Sequence, residues 1–267
     1  MKQKLKAMTK GEQEAIFIKN CRYLGLKYLE AEYADIIQKA NATQMGFTTF
    51  IQQIVQNEAH GKIERSINYR ISQSKLPQPY KLLTDFDFSF QPKLNKKLVM
   101  DLATLDFIHH HESLLLIGPP GTGKSHLARA LGFIACQKRI KVFYTTCADM
   151  LNDLNQGVYE KTLLKRLRKY VAPELLIIDE MGHDRLELEV TNEAHLLFKV
   201  IDQRYNHNAS LIFTTNVEEP DWADYLGDPV STKAILDRIF HHSIKVQIDG
   251  PSYRKYESDM LQQKYKV

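Results

Sequence analysis

Residues 114–125 constrain this chain more than any other stretch. Leu114-Leu115-Leu116-Ile117 is an apolar run of strand length, and Gly118-Pro119-Pro120-Gly121-Thr122-Gly123-Lys124-Ser125 follows it directly. The segment His126–Cys136 then reads as a helix. A strand, GxxxxGK[ST] and a helix in that order make a phosphate-binding loop. Its glycines let the backbone curl so that successive N–H groups face phosphate oxygens, and the helix N-terminus adds partial positive charge. Lys124 is placed to reach β- and γ-phosphates, and the Ser125 hydroxyl to ligate Mg²⁺. Gly118, Pro119, Pro120, Gly121, Thr122, Gly123, Lys124, Ser125 and His126 are therefore the candidate nucleotide contacts.

Two later strands end in residues suited to the same site. Leu175-Leu176-Ile177-Ile178 runs into Asp179-Glu180. Asp179 suits the Mg²⁺ shell, and Glu180 can orient and polarise an attacking water. Leu211-Ile212-Phe213-Thr214-Thr215 ends at Asn216, whose amide can hydrogen-bond a γ-phosphate or that water. With Val142–Thr145 and Ile244–Ile248, these runs alternate with helical segments. The pattern predicts an α/β fold whose five-stranded parallel sheet lies between helices.

Before this core the texture differs. Residues 1–75 carry no strand signal, and Ile51, Ile54, Val55, Ala59, Ile63, Ile67 and Ile71 recur at helical spacing. Leu76-Pro77-Gln78-Pro79 breaks that pattern. The expected organisation is a helical domain at 1–75 for DNA or partner contact, a linker at 76–97 with Phe86, Phe88 and Phe90, and the nucleotide-binding domain at 98–267. A helix is expected at about 94–108. Residues 1–80 hold 12 Lys/Arg against 7 Asp/Glu, a balance of +5 within a chain total of +4, so the basic charge is concentrated there. Such an arm fits phosphate contact, and equally a solvated helical surface.

Several classes are excluded. No apolar run reaches the ~18 residues of a membrane span, and no apolar h-region follows the N-terminal lysines. Cys21, Cys136 and Cys147 lack CxxC spacing and read as core residues of a reducing compartment, so a cytoplasmic setting without membrane contact is expected. His109-His110-His111 reads as a solvated loop, since no carboxylate or cysteine cluster accompanies it.

Further segments carry a family resemblance. Ala234-Ile235-Leu236-Asp237-Arg238-Ile239 resembles the arginine-finger box of initiator-branch AAA+ ATPases, and Gly250-Pro251-Ser252-Tyr253-Arg254 resembles their sensor II. Leu83-Thr84-Asp85-Phe86-Asp87-Phe88 resembles the segment before the ATPase core in IstB-like proteins. The architecture as a whole is similar to the IstB-like family, the ATPase subunit of two-gene insertion sequences related to the DnaC/DnaA branch. The resemblance implies ATP and Mg²⁺ as cofactors, Mg-dependent hydrolysis, and catalytic roles for Arg238 and Arg254 beside Lys124, Asp179, Glu180 and Asn216. It further implies an ATP-promoted homo-oligomer on double-stranded DNA, bound mostly without sequence preference, that recruits or activates a partner transposase. A DnaC- or DnaI-like replicative helicase loader and a nucleotide-switched adaptor remain the alternatives. The few residues after Arg254 are expected to leave no room for a full helical lid or an appended DNA-reading domain.

Between the second and third strands, a 100° wheel places Lys161, Lys165, Arg168 and Lys169 on one side and Leu163, Leu164, Leu167 and Tyr170 on the other. With Arg166, these five basic residues are the candidate DNA contacts. Phosphate contacts of this kind position a duplex without reading it.

Overall fold

The computed structural model describes residues 9–181, 193–218, 221–222 and 229–265. It divides into two compact units, Met1–Asn68 and Tyr69–Val267. The first is built on helices α1 (Lys10–Leu24), α2 (Lys27–Ala42) and α3 (Phe47–Gln73). Thr9 and Glu12 cap α1 reciprocally, and Gly25 ends it in the left-handed conformation that glycine adopts without strain. Glu58 accepts the Leu29 N–H at 2.8 Å and ties α3 to the start of α2. The apolar stripe of α3 is only partly covered: Ile51 is 60% and Val55 62% exposed, and Cys21 is the one buried residue among the unit's described residues.

In the second unit a 3₁₀ turn (Leu83–Asp85) leads to α4 (Lys96–Leu102), capped by the Asn95 side chain, and α5 (Asp106–His109). The single helix expected at about 94–108 is thus two, because Leu105 takes a left-handed backbone at φ 71° and breaks it. The remaining elements alternate: β1 (Ser113–Ile117), α6 (Lys124–Gln137), β2 (Val142–Thr146), α7 (Cys147–Tyr159), α8 (Leu163–Val171), β3 (Leu175–Met181), α9 (Glu193–Asn206), β4 (Ser210–Thr215), α10 (Pro229–His241), β5 (Ser243–Gln247) and α11 (Tyr253–Tyr265).

All strand pairs are parallel, in the order β2-β3-β4-β1-β5. The period of two along each strand feeds two cores. Leu114, Leu116, Leu175, Ile177 and Ile212 pack with α4, α5 and α6 on one face. Leu115, Ile117, Leu176, Ile178, Leu211 and Phe213 pack with α7 to α10 on the other. This two-sided burial is why the strands read as unbroken apolar runs. With β1 between β4 and β5, the chain crosses over at the carboxyl end of β1, where open parallel sheets place their ligand crevice. No described helix is long and apolar enough to cross a membrane.

Candidate nucleotide site

The loop after β1 opens into a cleft of about 620 Å³ lined by Gly121–His126, Arg129, Glu180, Arg254 and linker residues including Phe86 and Gln91. Gly121 has φ 81°, and a Cβ there would stand 2.1 Å from Ser252 Oγ. Gly123 has φ 102°, and its Cβ would stand 2.6 Å from the Phe86 ring. Glycine is required at both positions by conformation and by close approach. Lys124 Nζ donates to the carbonyls of Gly118 (2.6 Å) and Pro119 (2.8 Å). Burial pulls the Lys124 pKa down to about 8; Asp179 opposes that shift, and Arg254 adds to it.

Asp179, fully buried at the end of β3, is the hub. Its Oδ1 accepts from the hydroxyls of Ser125 (2.7 Å) and Thr214 (2.5 Å) and from the Glu180 N–H (3.2 Å). Its Oδ2 accepts from Tyr144 Oη (2.6 Å) and from Arg129 Nη2 (3.3 Å). Burial, then the Asp179 charge, pushes the Tyr144 pKa well up, so this phenol stays a donor. Glu180 follows in the left-handed region at φ 59°, where the β3–β4 register shifts, and its N–H also reaches Thr214 Oγ1 at 2.9 Å. That conformation, uncommon for a non-glycine residue, takes Glu180 out of the strand's alternation, and its side chain lines the cleft.

The structure gathers Gly121, Thr122, Gly123, Lys124, Ser125, His126, Glu180 and Arg254 around one cleft, with Asp179 beneath them. Pro119 contributes its carbonyl to Lys124, and Gly118 lies against the Ile248 carbonyl. Pro120 is exposed, and His126 holds the Leu82 carbonyl at 2.8 Å with Phe86 edge-on to its ring. Asn216 is exposed beyond β4 and is not a lining residue. The β4 side chain that reaches Asp179 is Thr214, two residues earlier.

Arg238 also stands apart from the cleft. Its Nε donates to Asp202 (2.9 Å), its Nη1 to the Ala234 carbonyl (3.0 Å), and its guanidinium lies over the Phe198 ring. Arg129, Thr214 and Tyr144 join the site without belonging to any sequence motif. Arg129 was legible, since it follows Ser125 by four residues, one helical turn on the same face.

The basic segment divides. Lys161 precedes α8, and Leu164 is 76% exposed rather than docked. Arg166 pairs with Asp153 and Glu160, and Lys169 with Asp153, so two of the five cations are neutralised locally. Lys165 and Arg168 are exposed and line different hollows.

A glycine-lined cradle with a buried ammonium fits a polyphosphate. The hard oxygens of Ser125 and Asp179, 2.7 Å apart, fit a magnesium ion beside it.

The family model described as IstB-like ATP binding protein matches residues 19–260. The insertion sequence IS5376 protein of Geobacillus stearothermophilus, named for ATP binding, is 37% identical over 92% of this chain and 96% of its own length. The corresponding IS21 protein of Pseudomonas aeruginosa is 35% identical, covering 88% of this chain and 86% of its own. Among solved structures, the DnaC helicase loader superimposes with a TM-score of 0.51 at 24% identity, over 64% of this chain and 99% of that chain. That likeness speaks for the AAA+ P-loop fold.

Proposed function

The chain belongs to the IstB-like ATP-binding protein family, and from that premise we propose that it is a Mg²⁺-dependent AAA+ ATPase of DNA transposition. It binds ATP, assembles as an oligomer on double-stranded DNA, and recruits or activates a partner transposase. The supporting observation is the convergence of Lys124, Ser125, Asp179 and Glu180 on one cleft at the sheet's crossover point. Relatives at 37% and 35% identity are insertion-sequence proteins named for ATP binding, and they support the biological setting.

In this reading Gly121–Gly123 and the start of α6 cradle the phosphates, and Lys124 exchanges its two carbonyl partners for phosphate oxygens. Ser125 would ligate Mg²⁺, with Asp179 accepting its proton side and orienting the shell. The bound ion supplies neutralisation of charge on the β- and γ-phosphates. Glu180 polarises the attacking water, Arg254 faces the phosphates from α11, and Arg238 serves a neighbouring protomer's site. The proposed setting is the cytoplasm, in keeping with Cys21, Cys136 and Cys147, which are buried and joined in no disulfide among the described residues.

The test pairs two variants. Lys124→Ala should lose ATP binding, whereas Glu180→Gln should bind ATP and release phosphate about 100-fold more slowly. A Glu180→Gln complex on DNA should then retain a transposase of the same insertion-sequence class. Equal loss of binding in both variants, or retention of a replicative helicase instead of the transposase, would overturn the reading.

A further inference from the structure

We propose that Arg129, together with Tyr144, is a positioning residue for Asp179 and sets how tightly the nucleotide site holds its divalent cation; this rests on the nucleotide reading above. The two carboxylate oxygens have separate tasks. Oδ1 is turned to the cleft-lining Ser125, to the Glu180 N–H and to the buried Thr214 hydroxyl. Oδ2 is held by Tyr144 at 2.6 Å and Arg129 at 3.3 Å. Arg129 Nη2 also donates to Tyr144 Oη at 2.9 Å, and its guanidinium lies 5.2 Å from the Tyr144 ring centroid. Arginine, phenol and carboxylate therefore form a closed triangle.

The triangle follows from three elements. α6 puts Arg129 one turn beyond Ser125, β2 brings Tyr144 beside β3, and β3 delivers Asp179 at its end. A buried carboxylate is costly unless it is paired and hydrogen-bonded. Arg129 supplies the only opposite charge in an ion pair with Asp179 among the described residues. Its own Nε is buried with no partner, a cost that the Nη2 contacts must offset. Without Arg129 the carboxylate would lose its charged partner and one of its two Oδ2 donors, and Oδ1 would no longer be fixed toward Ser125. Groups that orient a metal's ligands in this way control metal affinity by about 10- to 100-fold.

The experiment measures binding of a fluorescent ATP analogue twice, in EDTA and in a Mg²⁺ titration. Arg129→Ala should leave the EDTA affinity close to that of the parent and raise the half-saturating Mg²⁺ concentration about tenfold or more. Tyr144→Phe should shift it in the same direction, and Arg129→Lys should fall between, keeping charge but losing the paired donors. If Arg129→Ala does not fold, the other two variants carry the same comparison. Affinity lost equally in EDTA and Mg²⁺ would overturn the proposal in favour of direct nucleotide contact or general damage. So would an unchanged Mg²⁺ half-point in Tyr144→Phe and whichever Arg129 variant folds. Ser125→Ala separates the two levels. If it shifts the Mg²⁺ half-point and the Arg129 and Tyr144 variants do not, only this inference fails; if Ser125→Ala shifts nothing, the cation-site reading itself fails and takes the inference with it.

Discussion

The Ser125 hydroxyl donates to Asp179 Oδ1 over 2.7 Å, joining residues 54 apart in the chain. That bond ties the start of α6 to the end of β3, so the phosphate loop and the acidic strand end meet at one point. Lys124, the neighbour of Ser125, sits in the resulting crevice with its ammonium held by backbone carbonyls.

The lowered Lys124 pKa gives a pH prediction. Phosphate oxygens would restore the lysine's preference for its charged form, so binding at pH 8.5 to 9 should take up a proton. The Lys124 contribution to ATP affinity should be level below about pH 7 and fall as pH rises through about 8, the value set by burial. The folding sign is opposite. The folded pKa lies below the ordinary 10.5, so the charge-burial penalty is complete below about 8 and fades as pH rises toward 10.5. Calorimetry in buffers of different ionisation enthalpy reads the proton uptake. Buffer-independent heats at pH 8.5, or equal uptake in Lys124→Arg, would remove Lys124 as the source.

Arg204 should be a stability residue. It is fully buried, and its guanidinium donates to the carbonyls of Tyr170, Pro173, Glu174 and Ser210, which gather the end of α8 and the starts of β3 and β4. Arg204→Leu strands several buried acceptors and should cost roughly 3 kcal/mol or more. For a chain of this size that lowers Tm by about 6–12 °C. A Tm within about 2 °C of the parent would contradict the role.

Arg238 is held against α9 by Asp202, away from its own cleft. If it completes a neighbour's site, Arg238→Ala and Lys124→Ala subunits should each be inactive alone. Their mixture should regain part of the ATPase, because finger-intact subunits complete ATP-competent sites. A mixture as inactive as its components would place Arg238 in a structural role with Asp202.

The basic segment should separate by its ion pairs. Neutralising Lys161, Lys165 and Arg168 should weaken binding to unrelated duplexes alike and flatten the salt dependence by about 0.9 per lost phosphate contact. Arg166→Ala should instead lower stability, since it breaks a partly buried link to Asp153 and Glu160. Fluorescence anisotropy at several salt concentrations, alongside thermal melts, distinguishes these outcomes. An unchanged salt slope in the triple variant would leave the segment as a solvated surface.

The strands, the phosphate loop and the acidic strand end are legible in the sequence alone, because each is a local pattern. Four or more apolar residues at strand length, glycines at fixed spacing and the pair Asp179-Glu180 are visible without knowing what lies opposite. The wheel over 161–170 was weaker, since it assigned Leu164 to a docked face that the structure leaves open. That Thr214 meets Asp179 becomes visible only in the packed sheet, because strand register sets which β4 side chain lies beside the end of β3. Likewise, Arg129 and Tyr144 become partners of Asp179 only when α6 and β2 are laid against β3. Asp153 lies eight residues before Lys161, and only the packing of α7 on α8 shows that it neutralises Arg166 and Lys169. Hydrogen bonds and ion pairs depend on distances of a few ångströms between distant segments, and those distances exist only once the chain has packed.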